Sequence, residues 1–195
     1  MLFYQRLILD SVNVSRTPAR EAIVNLEKEG LLKVIPQSGT YVACINCKRS
    51  EQEWFVRKSL EIGMVDAIFK NASADMLDKM AELNNRLINY DEETESIPRI
   101  EIDNEFHQLI YECSGEQLAK NIIKTQMSHY NRIRYLAELN KNISVKTNDE
   151  HNMLIDAIRN KDKRMYLRVI KAHISRIFNE LDKLKGIYPE YFEKN

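Results

Sequence analysis

Apolar residues recur at helical spacing over most of this chain, and the pattern changes character near residue 45. Before that point, Ala22, Ile23, Leu26 and Leu31 follow Thr17-Pro18. These residues predict a helix that Ser15 or Thr17 can cap. Pro18 suits its first turn, where N–H groups have no intrahelical partner. Gly30 ends it. LLKVIPQSGTYVACI then supplies two short β-branched runs around Pro36-Gln37-Ser38-Gly39, which predicts a hairpin.

From residue 51 the helical period predicts helices near 51–70, 74–91, 98–113, 116–140, 146–159 and 162–184, with Met76, Leu77, Met80, Leu83 and Leu87 as an example of the repeat. The breaks fall at 71–73, 96–98, 114–115, 140–144 and 160–162, and a linker spans Asn46 to Ser50. A helix followed at once by a small ribbon has the layout of a winged helix-turn-helix. The expected fold is therefore mainly α: a partial winged helix-turn-helix over 1–47, then an all-α antiparallel bundle over 51–185.

Composition narrows the classes. The chain of 195 residues is 44% hydrophobic and 30% charged, enough apolar material for a core and too much for a disordered chain. It has only 5 glycines and 4 prolines, which argues against a sandwich or barrel of many short strands. Its 29 basic residues balance 29 acidic ones, so any nucleic-acid contact must come from a local basic cluster. No apolar run reaches the length of a membrane span, and MLFYQRLIL is broken by Gln5 and Arg6 with no cleavage site after it. Three cysteines without a secretory signal point to a reducing cytoplasm.

Two constellations carry chemistry. Arg16, Thr17 and Arg20 stand at the start of the first helix, the end that enters a major groove in helix-turn-helix readers. Asp103 and His107, at i and i+4, lie about 40° apart on one helix face and can turn to one ion; such a pair is also a common surface ion pair. His151 and His173 sit in apolar helical frames, where a histidine without a partner is costly. A metal would satisfy all three histidines, and imidazole with carboxylate suits Zn²⁺, Ni²⁺, Mn²⁺ or Fe²⁺. His129, the fourth histidine, can point into the same cavity. Cys44-Ile-Asn-Cys47 is a single C-x-x-C, a weak signal for zinc or redox chemistry.

VSRTPAREAIVNLEKEGLL and PQSGTYV together closely resemble the recognition helix and wing of GntR-family transcription regulators. The resemblance implies base contacts from Arg16 and Arg20, phosphate contacts from Ser15 and Thr17, and a wing contact near Ser38 and Gly39. The later motifs, Asp103 with His107, Glu150-His151 with Ala157-Ile158, and His173, resemble the all-helical FCD effector domain of the FadR-type branch. That resemblance implies one divalent metal held by Asp103, His107, His151 and His173, its shell completed by a small organic acid. It also implies that Arg57, in VRKSLE, clamps the effector carboxylate in a bidentate fork, with His129 as a further effector contact. The implied protein is a cytoplasmic homodimer on a palindromic operator.

The resemblance is weakest at the start. MLFYQRLILDSVN aligns inside the family's second helix, with Leu7 and Val12 at plausible core positions. A reader short of its first helix would leave Leu26 and Leu31 under-covered. Two alternatives stay open: a metal-dependent hydrolase or oxygenase in a helical bundle, and a metal- and ligand-binding dimer that has lost DNA binding. H-E-x-x-H is absent from the sequence, which tells against the first.

Overall fold

The structure is a computed structural model describing residues 2–3, 16–93, 95, 97–139 and 145–193. Ser15, Leu7 and Val12 lie outside the described residues, as does the side chain of Arg16.

Helix α1 spans Arg16–Lys28, so Thr17 is its second residue rather than its cap. Gly30 closes it with φ +74 in a Schellman motif: the Leu31 N–H donates to Leu26 O at 2.9 Å and the Gly30 N–H to Glu27 O at 3.0 Å. Ala19 is buried, Ile23, Leu26 and Leu31 are half-buried, and Ala22 is exposed, so Ala22 does not serve the core face expected of it.

The hairpin forms where the β-branched runs predict it. Strand β2 (Leu32–Ile35) pairs antiparallel with β3 (Gly39–Val42) in the register Leu32 to Val42 and Ile35 to Gly39. Gln37 takes φ +61 in the turn between them. A third strand, β1 (Leu2–Phe3), adds to the free edge of β3 with Leu2 opposite Tyr41. This corrects the helical expectation for those two residues: the edge of β3 offers unpaired backbone groups, and an extended Leu-Phe satisfies them.

The bundle holds nine helices among the described residues: α2 (Cys47–Gly63), α3 (Val65–Asn71), α4 (Ala74–Ile88), α5 (Arg99–Ser114), α6 (Gln117–Thr125), α7 (Ser128–Glu138), α8 (Val145–Arg159), α9 (Lys163–Asn179) and α10 (Leu181–Ile187). Caps set several of the starts. Asn46 accepts from the Arg49 N–H, Ser73 from the Met76 N–H, and Asp162 from the Met165 N–H. Three expected helices are each split, at Met64, at Gln126–Met127 and at Glu180. Met64 and Met127 are fully packed at these corners, so burial of the corner residue compensates for the interrupted ladder.

Two apolar cores result. The larger gathers Ile68, Met80, Phe106, Ile110, Leu154, Tyr166 and Ile170 from α3, α4, α5, α8 and α9. The smaller joins Ile45, Tyr130, Ile133, Ile177, Leu184 and Phe192. In it the linker is clasped by the chain's end: the Ile45 N–H donates to Tyr191 O at 2.7 Å and the Glu193 N–H to Ile45 O at 3.0 Å, around an Ile45–Phe192 bridge. Among the described residues no helix is long and apolar enough to cross a membrane.

Candidate metal centre

Asp103, His107, His151 and His173 offer four ligand atoms that all lie within 4.8 Å of one another. Asp103 and His107 come from one face of α5, His151 from α8 and His173 from α9. The Nε2 atoms of His107 and His173 are 3.0 Å apart, and Asp103 Oδ1 is 3.4 Å from His151 Nε2. Two ligands about 2.1 Å from one first-row ion stand about 3.0–3.4 Å apart at octahedral or tetrahedral angles. The donor set fits such an ion in chemistry, and these two pairs fit it in spacing. The Phe106 ring stacks on His151 at 3.8 Å between centroids and shields that side from water.

Neighbours orient the ligands. Asn84 Nδ2 donates to Asn148 O at 3.0 Å and to Asn152 Oδ1 at 2.8 Å, which turns Asn84 Oδ1 toward His151 Nδ1 at 3.2 Å. His151 Nδ1 must then carry the proton, and its Nε2 holds a bare lone pair. That Nε2 is buried without a hydrogen-bond partner and faces the carboxylate. His173 is set in the same way, its Nδ1 2.8 Å from Glu150 Oε2, with Arg176 ion-paired to Glu150. Arg134, from α7, pairs with Asp103 Oδ2.

Burial pushes His151 down to about 3, against the opposing pull of Asp103, and holds His107 well below its ordinary value. Burial alone would raise Asp103, but Arg134 and the three histidines keep it well below the usual carboxylate range. Both histidines are thus neutral at pH 7, and between about pH 6.5 and 3 the unfolded chain binds more protons than the folded one. Metal-free protein is expected to hold its full stability above about pH 6.5. It should lose stability as the pH falls toward 3, by up to about 1.4 kcal/mol per pH unit for each histidine. Urea midpoints at pH 7 and pH 5 check this, the lower midpoint belonging to pH 5.

Two cavities flank the cluster. One of about 70 Å³ touches Asp103 and His173 and is walled by Arg57, Tyr130, Arg134 and Arg176. The other, about 430 Å³, lies by His107 and Tyr111 and is lined by Lys120, Lys124 and Asn131. Arg57 and Arg134 border both. Arg57 is buried: its Nε donates to Glu61 Oε1 at 2.6 Å and its Nη2 to Tyr111 Oη at 3.1 Å. His129 lines neither cavity, contrary to the expectation of an effector contact. It is the second residue of α7, and its ring turns to Gly30 and Asn46 instead. Arg134, Arg176 and Asn84 escaped the sequence reading. Arg176, one turn beyond His173 on α9, was the one with a legible spacing.

At the other end of the chain, Thr17 and Arg20 are exposed in the first turns of α1, and Ser38 and Gly39 are exposed at the tip of the hairpin. Cys44 and Cys47 are free and half-buried in the linker region, and Cys113 is half-buried beside Ile68.

Residues 54–176 match the FCD domain, and residues 5–42 match the gntR family of bacterial regulatory proteins. An HTH-type transcriptional regulator in an unstable DNA locus of Streptomyces ambofaciens is 26% identical over 184 residues, 93% of this chain and 76% of that protein. The HTH-type transcriptional repressor RspR of Escherichia coli is 24% identical over 188 residues, 93% of this chain and 80% of that protein. The solved structure of McbR/YncC from E. coli has the same fold at a TM-score of 0.73 and 19% identity, covering 95% of this chain and 87% of that one. FCD domains commonly bind a metal, and all four residues of the cluster lie within the matched segment 54–176. The chain belongs to the gntR family of bacterial regulatory proteins, in the branch with an FCD effector-binding domain, and is a DNA-binding transcription regulator rather than an enzyme.

Proposed function

We propose that this regulator senses a small organic acid through a divalent metal held by Asp103, His107, His151 and His173. The observation that carries the reading is the pair of facing acceptors: the bare Nε2 of His151 and the Asp103 carboxylate, 3.4 Å apart and buried. Two lone pairs so placed repel unless a cation lies between them. A bound Zn²⁺, Ni²⁺, Mn²⁺ or Fe²⁺ would supply Lewis acidity for a carboxylate ligand. Arg57, Arg134 and Arg176 line the adjoining 70 Å³ cavity beside Asp103 and Glu138, and offer guanidinium donors to an anion of a few heavy atoms.

In this reading residues 1–47 form the DNA-reading domain and 51–185 the sensor. A homodimer sets two α1 helices in successive major grooves of a palindromic operator. Arg16 and Arg20 read base edges, Ser15 and Thr17 hold phosphates, and the wing at Ser38 and Gly39 touches the backbone or minor groove. The effector changes DNA affinity by no more than its preference for one placement of the two readers.

The test is metal content and titration calorimetry of the purified chain with each of the four ions, then with simple carboxylates on the loaded protein. Binding of one ion per chain, followed by carboxylate binding that requires the ion, is the expected result. Carboxylate binding equal in loaded and chelated protein would defeat it. DNA reading is tested on duplex from the gene's own upstream region. Arg20→Ala is expected to weaken specific binding by about 1–3 kcal/mol and to relax base preference. Equal anisotropy curves for variant and parent would remove Arg20 from the reader.

A further inference from the structure

Three contacts converge on the first residues of α7, where the DNA-reading unit meets the bundle. Ser128 Oγ donates to Glu29 O at 2.6 Å, satisfying a carbonyl at the C-terminal end of α1. His129 is buried, and its Nδ1 accepts the N–H of Asn46 at 3.1 Å, at the cap of α2. Its Nε2 lies only 2.7 Å from the place a Cβ would occupy on Gly30. Gly30 itself holds φ +74, so the close approach and the turn both call for glycine there. On the next residue, the Tyr130 N–H donates to buried Glu53 at 2.8 Å. Farther along the same helix, Arg134 pairs with Asp103 and borders both cavities. One helix of 11 residues therefore carries the seat of α1 at its start and, past its midpoint, the ion partner of a cluster carboxylate.

We propose that His129 is the positioning residue that seats the DNA-reading unit on the sensor, and that α7 carries the state of the metal cluster to it. The His129 ring fills the space that Gly30 leaves, while its hydrogen bond to Asn46 holds the linker at the same point. Ligation that draws Asp103 toward an ion alters its pairing with Arg134, and α7 moves as a rigid element with His129 at its leading end. This second half rests on the metal reading proposed above; the seat does not.

Amide hydrogen exchange on the full chain separates the two. In chelated protein, His129→Ala and the milder His129→Asn are expected to speed exchange over residues 17–42 at least tenfold, with amides of α5, α8 and α9 unchanged. Gly30→Ala should do the same through both the clash with the ring and the strain of its left-handed turn, so it should cost less when added to His129→Ala, where only the strain remains. Unchanged exchange over 17–42, or independent addition of the two effects, would overturn the seat. Zn²⁺ is then added to parent and His129→Ala. Slowed exchange in α5, α8 and α9 of both proteins, reaching 17–42 only in the parent, is the result expected for transmission through α7. Slowing that reaches 17–42 equally in the variant would overturn the transmission. No slowing in α5, α8 and α9 of the parent would overturn the metal reading and the transmission with it, leaving the seat to the chelated measurements.

Discussion

Chelation is expected to lower the melting temperature of the sensor by about 10 °C, and His151→Ala is expected to abolish that response. An ion present at about a thousand times its dissociation constant stabilises the state that binds it by about 4 kcal/mol. For a chain of this size each kcal/mol moves the midpoint by about 2–4 °C. The ligand atoms are gathered from α5, α8 and α9, with His107 and His173 separated by 66 residues, so an unfolded chain offers no comparable site. The apo cluster also contains the facing lone pairs of His151 and Asp103, which an ion relieves. Differential scanning calorimetry with and without chelator, then with each of the four candidate ions restored, checks the size and the selectivity. Parent protein that melts alike in both conditions holds no structural ion, and the donor set would then be a hydrogen-bonded cluster only. A His151→Ala variant that still gains stability from the ion would remove His151 from the ligands.

How much of this was legible in the chain differs by kind of feature. The helical period from Met76 to Leu87 and the β-branched runs around Pro36 reported local structure directly, because burial on one face imposes its repeat on the residues themselves. The corners at Met64 and Gln126–Met127 did not show. No proline marks either, and Gly63 at the first and the short, mostly polar run Thr125 to Ser128 at the second are breaks too weak to end a helical period. Asp103 and His107 declared themselves by one-turn spacing, while His151 and His173 were singled out by their apolar helical frames and joined to the pair as one ligand set through the motif resemblance. Their convergence depends on how α5, α8 and α9 pack, which no local period encodes. Arg134 and Asn84 were silent for the same reason. An arginine in NRIRYLAEL and an asparagine in a helix look like solvated positions until a carboxylate or imidazole from another helix is set against them. His129 was misplaced because its surroundings come from Gly30 and Asn46, about 100 and 83 residues away in the chain.

Arg57→Ala is expected to destabilise the bundle by about 3–5 kcal/mol, whatever its part in effector binding. Arg57 is 3% exposed and Glu61 2%, so neither charge can fall back on water. Tyr111 Oη donates to the same Glu61 Oε1 at 2.6 Å that accepts Arg57 Nε, and Glu61 Oε2 has no hydrogen-bond partner. Truncating the arginine would leave the carboxylate buried with one phenol as its sole donor among the described residues. Burial alone would lower the Arg57 pKa, but Tyr111, Glu61 and Tyr130 hold it well above the ordinary value, so it stays charged at every working pH. Its guanidinium also lies 5.3 Å from the centre of the Tyr130 ring, a contact that Arg57→Lys would not rebuild. Replacing both members, Arg57→Leu with Glu61→Leu, removes the pair without stranding a charge and should recover most of the lost stability. That double variant separates the two roles. If Arg57 only holds Glu61, the folded double variant binds metal and carboxylate like the parent. If it clamps the effector, metal affinity stays while carboxylate affinity falls by about 10- to 100-fold, the loss of one charge-assisted hydrogen-bonded contact.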